Sequence, residues 1–131
     1  MEEKLKEKIL KQLEKARKKL YSAERIFKDK LYEDSISRAY YAMFHATKAL
    51  LLTKHIQVNT HSGAVAMLSM HFIKTGLLDA SFGKMLSYAK DLRENGDYDT
   101  LYEATREEAE TVLTDSKKFL AEIDKIIKKN L

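Results

Sequence analysis

The sequence contains no proline, no cysteine and no tryptophan, and only 4 glycines in 131 residues. A chain so poor in proline and glycine lacks the frequent turns of a β-sandwich or barrel, and has no proline-rich linker. Zero cysteines exclude a disulfide framework, thiolate zinc sites and thiol nucleophiles, and fit a reducing compartment. No stretch approaches the ~18 uninterrupted apolar residues of a membrane span. Met1-Glu2-Glu3-Lys4 offers no apolar signal-peptide region. The expectation is a cytoplasmic, all-α chain with no membrane segment, folded as a single domain over 1–131. Its length suits one core rather than two small ones.

What is present is charge, unevenly spread. The 24 basic and 20 acidic residues leave a formal +4. Residues 1–30 hold 11 Lys/Arg against 6 Asp/Glu, a balance of +5, while residues 97–116 hold one Arg against seven acids, or −6. Two solvated helix faces with i,i+4 ion pairs explain this. A basic face that attracts a polyanion such as RNA explains it as well.

Apolar residues at Leu5, Ile9, Leu13, Ala16, Leu20, Ala23 and Phe27 form one helical stripe, closed by Asp29-Lys30. A second helix is expected over about Tyr32 to Lys54, apolar almost all round from Ala39 to Leu52, as in the middle of a bundle. Thr60 is a good N-cap for a third helix over about His61 to Lys74, with Val65, Leu68 and Phe72 inward and Gly76 as its stop. A fourth helix over about Ala80 to Glu94 places Phe82, Met85, Ala89 and Leu92 on one side, before a turn at Asn95-Gly96-Asp97. Thr105-Arg106-Glu107-Glu108 reads as a capping box opening the last helix, whose inner stripe runs from Ala109 through Ser116 and Phe119 to Ile127. Short loops between four or five such helices imply an up-and-down bundle of antiparallel neighbours.

The second helix carries an anomaly. Arg38 and His45 are seven positions apart, which at 3.6 residues per turn separates them by only about 20° around the axis. Tyr41 falls between them, Asp34 one turn before and Lys48 one turn after, making a narrow polar arc on an apolar helix. Ala42, Ala46 and Ala49 edge that arc and would let another helix, or a second copy, approach closely. A histidine can move a proton near neutrality, and an arginine offers a permanent planar charge to phosphate. Together they suit metal-independent RNA cleavage, with Tyr41 holding a phosphate oxygen or orienting His45. The plainer alternative pairs Asp34 with Arg38 at i,i+4 and leaves His45 satisfying a neighbouring polar group.

Four blocks carry a resemblance: Ser37-Arg38-Ala39-Tyr40-Tyr41-Ala42-Met43-Phe44-His45-Ala46, Thr60-His61-Ser62-Gly63, Phe72-Ile73-Lys74-Thr75-Gly76-Leu77 and Arg93-Glu94-Asn95-Gly96-Asp97-Tyr98. In this order they resemble the HEPN superfamily, and within it the small stand-alone prokaryotic members. The resemblance implies a helical bundle that commonly forms a homodimer. In its active branches an arginine, followed after four to six residues by a histidine, builds a composite ribonuclease site across the dimer. Arg38 and His45 match the long end of that spacing. The position after the arginine, usually polar in nuclease members, is Ala39 here. The resemblance also implies pairing with a minimal nucleotidyltransferase, often as a toxin–antitoxin module. Other members are non-catalytic or bind a nucleotide.

The expected catalytic set is therefore Arg38, His45 and Tyr41. Asp34, Lys48, His61 and Ser62 are the candidates for substrate binding. His61 and Ser62 open the third helix, where free backbone N–H groups bind phosphate, although capping or packing also accounts for His61. His55, His61 and Asp79 show no recognised ligand spacing, so no metal is expected. No phosphate-binding glycine loop is present, and no cofactor is expected.

Overall fold

The computed structural model describes residues 2–131 and contains five α-helices: α1 (Glu3–Lys28), α2 (Tyr32–Leu52), α3 (His61–Leu68), α4 (Ala80–Tyr98) and α5 (Arg106–Lys129). They form an all-α, up-and-down antiparallel bundle with no strand among the described residues. Among the described residues no helix is long and apolar enough to cross a membrane.

α2 is the hub, packing on α1, α4 and α5. Thirteen of its 21 residues are buried, including Ala39, Tyr40, Met43, Phe44, Leu50 and Leu51. A helix apolar on most faces is stable only when neighbours surround it, and the nearly unbroken apolar run from Ala39 to Leu52 made that legible. α1 and α5 bring one stripe each. Ile9, Leu13, Ala16 and Ala23 are buried on α1, and every expected inner residue of α5 from Ala109 to Ile127 is buried. Leu5, Leu20 and Phe27 pack at the margin.

The alanine edge is filled from within the chain. Ser35 Oγ donates to Ala23 O of α1 at 2.9 Å, and His45 contacts Gln12 of the same helix. Ala42 and Ala49 project between those two contacts by helical geometry, and Ala42, Ala46 and Ala49 are all fully buried. They permit close packing within the single chain.

Three local expectations change. α2 stops at Leu52, because Thr53, Lys54 and His55 turn back on Leu50, Leu51 and Leu52, with His55 at φ 61°. The third helical stretch is not uniformly α: Ser69–Ile73 widens into a π-turn, with Lys74 N–H donating to Ser69 O at 2.8 Å. The widened turn presents His71 O to Lys54 Nζ (2.6 Å) and Thr75 Oγ1 (2.9 Å). Asn95-Gly96-Asp97 is not a turn, since α4 runs through it to Tyr98. Arg93 donates from Nε and Nη2 to Asp97 Oδ2 at 3.2 and 3.0 Å, an i,i+4 pair that spans the glycine and supports the helix through it. The capping box forms as expected. Glu108 N–H donates to Thr105 Oγ1 at 3.1 Å, and Thr105 N–H to Glu108 Oε1 at 3.0 Å.

Candidate functional site

The polar arc of α2 is met by α1 at His45 and by α4 at Tyr41, and is open at its N-terminal end. Arg38 and Asp34 are exposed, and Tyr41, His45 and Lys48 are half-buried. Asp34 and Arg38 form no ion pair, and among the described residues no carboxylate pairs with Arg38. The plainer alternative of an i,i+4 pair is therefore not formed. Asp34 instead sits in the first turn of α2, where a carboxylate favours the helix dipole.

His45 is held by a residue that the helix pattern did not single out. Its Nδ1 lies 2.8 Å from Gln12 Oε1. An amide oxygen only accepts, so Nδ1 carries the proton and Nε2 keeps its lone pair. Burial, followed by the charges of Lys48, Lys15 and Lys19, lowers its pKa from 6.5 to about 4. The imidazole is thus neutral at pH 7 and in one tautomer. Gln12, rather than Tyr41 or Asp34, orients it.

Tyr41 belongs to a second cluster, on the α3/α4 side of the arc. Its ring meets His61 edge-on at 5.8 Å between centroids, and the Arg93 guanidinium lies 5.3 Å from its centroid. Arg93 also covers Tyr40 at 5.6 Å. Tyr40, fully buried, places its hydroxyl 2.6 Å from His61 Nδ1, while Arg93 Nη1 stands 3.4 Å from His61 Nε2. A guanidinium only donates, so Nε2 accepts and Nδ1–H donates to the Tyr40 oxygen. Burial, then Arg93, lowers the His61 pKa. Burial raises that of Tyr40. Both His61 nitrogens are engaged inside the protein, which makes this histidine a brace between α2 and α4.

Thr60 caps α3, its Oγ1 accepting from Gly63 N–H at 2.9 Å. Ser62 is exposed beside it. Lys48 reaches 5.4 Å from the Phe44 centroid, a cation–π contact that leaves its charge at the surface next to His45. Arg38, His45 and Lys48 therefore share one open arc, Tyr41 flanks it, and His61 braces it from behind. Among the described residues no three His, Asp or Glu side chains are grouped to hold a metal ion.

Gln12, Tyr40 and Arg93 are the residues that sequence reasoning missed. One signal was available for Gln12: it is the single uncharged amide of α1, at the margin of the apolar stripe. Arg93 stood in a resembling block without a role, and Tyr40 read only as core.

Comparison with known proteins gives a match to the description "HEPN domain" over residues 9–126. A protein of Methanocaldococcus jannaschii named "Putative toxin" is 36% identical over 127 residues, covering 97% of this chain and 94% of its own. A second protein of the same name and organism is 39% identical over 132 residues, covering 100% of this chain and 90% of its own. A small protein of Archaeoglobus fulgidus is 37% identical over 118 residues, covering 90% of this chain and 94% of its own.

Proposed function

The chain belongs to the HEPN domain family, and on that premise we propose that it is a metal-independent endoribonuclease, toxin-like or RNA-processing, acting as a homodimer. The observation that carries this reading is His45: neutral, fixed in one tautomer by Gln12, and set with Arg38 on one open, cationic arc. Nε2 takes the proton of a ribose 2′-hydroxyl as its oxygen attacks the adjacent phosphorus. The O2′–P bond forms and the P–O5′ bond breaks, leaving a 2′,3′-cyclic phosphate, and the departing 5′-oxygen takes a proton from solvent. Arg38, free of internal carboxylates, stabilises the charge that builds on the phosphoryl oxygens. The names of the two Methanocaldococcus relatives support a toxin-like role.

A base with pKa near 4 is weak until substrate binds. Burial is the larger cause of that depression, and a phosphodiester beside Lys48 offsets the smaller one, the lysine field, moving the pKa part of the way toward neutrality. The test compares wild type, His45→Ala and Arg38→Ala on RNA in EDTA. Wild type is expected to leave cyclic-phosphate ends, and each variant to lose activity by about 100-fold or more. Equal activity in all three, or none in any, refutes the reading.

One observation favours the alternative of a non-catalytic module that binds a nucleotide or partners a minimal nucleotidyltransferase. Ala39 is buried, its carbonyl accepting from Ser116 Oγ of α5 at 3.1 Å, so the position that follows Arg38 offers the site no polar side chain. That module would bind RNA or nucleotide with no cleavage and would co-purify with the nucleotidyltransferase.

A further inference from the structure

One turn along α2 from His45, the N-terminal half of α1, the end of α2 and the loop to α3 enclose a pocket of about 280 Å³. That is near the lower end of small-molecule sites, about 300 Å³. Its rim carries Lys8, Lys11 and Lys48, and no carboxylate lines it. Lys11 has one weak ion pair, to Glu14 at 3.9 Å, and among the described residues Lys8 and Lys48 have none. The floor is apolar, made by Leu52 and Val58, both 8% exposed. Gln57 and Asn59, both exposed, line the loop side.

Three features narrow the ligand. Uncompensated lysines select an anion. An apolar floor accepts a flat ring, which a bare phosphate does not need. Side-chain amides both donate and accept, as the edge of a nucleobase requires. The position narrows it further. Gln12 forms one wall of the pocket and also holds His45, and Lys48 follows His45 by three residues, about 4.5 Å along the helix axis. The pocket and the imidazole are within the span of one nucleotide.

Resting on the ribonuclease reading, we propose that this pocket is the subsite for the nucleotide that flanks the scissile phosphate of an RNA substrate. Its base lies on Leu52 and Val58, Gln57 and Asn59 meet the base edge, and Lys8, Lys11 and Lys48 hold its phosphate. Gln12 couples the two places, because a ligand that enters the pocket packs on the side chain that orients the base.

The experiment titrates the full-length protein, labelled with 15N, with the four nucleoside 3′-monophosphates, inorganic phosphate and 2′-O-methyl dinucleotides. At least one dinucleotide is expected to bind about tenfold or more tightly than phosphate, a difference of ~1.4 kcal/mol. Shifts should centre on residues 8–12 and 48–59. Lys48→Gln is expected to weaken every nucleotide alike and to lower the salt slope of binding by about 1. Asn59→Trp, a substitution at an exposed loop position, fills the mouth and should abolish binding while leaving the circular dichroism spectrum unchanged. Phosphate binding as tightly as nucleotides, or Asn59→Trp binding like wild type, overturns the subsite. Mononucleotides binding as tightly as dinucleotides would make this a site for free nucleotide and overturn the RNA assignment. Cleavage of RNA by Asn59→Trp at the wild-type kcat/KM sinks the subsite alone. Dinucleotide binding in the pocket with no RNA cleaved sinks the nuclease reading alone.

Discussion

The chemistry open to a histidine is decided by the partner of its other nitrogen. For His45 that partner is the neutral amide of Gln12, while every nearby charge that acts on it is a lysine. Gln12→Glu replaces the amide oxygen with a carboxylate at the same place, so the imidazolium gains an opposite charge and the pKa rises. An NMR titration of the ring should follow it upward from about 4, and the acid limb of kcat/KM, which reports the free enzyme, should move with it. An unmoved pKa would mean that Gln12 does not contact the ring. Stability carries a second signature. Because the folded pKa lies below the ordinary 6.5, the unfolded chain binds more protons between about 4 and 6.5, and stability falls as pH drops through that window. In His45→Gln the fall, followed by urea unfolding at several pH values, should be shallower than in wild type. The pair Arg38/His45 was legible because one helix period fixes both. Gln12, Tyr40 and Arg93 were not, because their histidine partners stand 33, 21 and 32 positions away, and local periodicity does not encode which helices meet.

Among elements, the shortest helix has the most exacting start. α3 spans eight residues and is anchored by Thr60 at its N-terminus and by the His61 ring against Tyr40 and Arg93. Thr60→Ala removes the acceptor for Gly63 N–H and should cost about 1 kcal/mol of stability. Faster amide hydrogen exchange should be confined to the first turn of α3, with α1 and α5 protected as before. A loss spread evenly over the bundle would show that the cap is not local. Of the three side-chain caps, Thr60 and Thr105 were readable from sequence because capping chemistry is local, while Asp79, which accepts from Ser81 N–H at the start of α4, was not singled out as one. The extension of α4 through Asn95-Gly96-Asp97 was not. Its turn signal is also local, and the helix through it is supported by an Arg93–Asp97 pair whose arginine is held by two tyrosines of another helix. Gly96 lies against the Glu33 side chain at the start of α2, where a Cβ would stand 2.9 Å from Glu33 Oε1 and displace that carboxylate.

At the scale of the whole molecule, burial of Ala42, Ala46 and Ala49 against α1 changes what a dimer can look like. Ala46→Glu would put a charge into the core and unfold the chain rather than separate two copies. A second copy must instead use surface that the bundle leaves open, and the cationic arc is such a surface. Salt dependence measures both the arc and its pairing. Each phosphate neutralised on a single strand contributes about −0.7 to the slope of log affinity against log salt. With about four phosphates met by Arg38, Lys48 and the lysines of α1, the slope is about −3, and affinity falls roughly fifty-fold between 50 and 200 mM salt. If two arcs close on one strand, the count doubles and the slope approaches about −6 per dimer. Fluorescence anisotropy of a labelled RNA with His45→Ala, alongside sedimentation at each salt concentration, separates these outcomes. The steeper slope is expected only where the protein sediments as a dimer. A slope near zero would show that the lysines of α1 are merely solvated, and a steep slope from a monomer would place the second half of the site within a single chain.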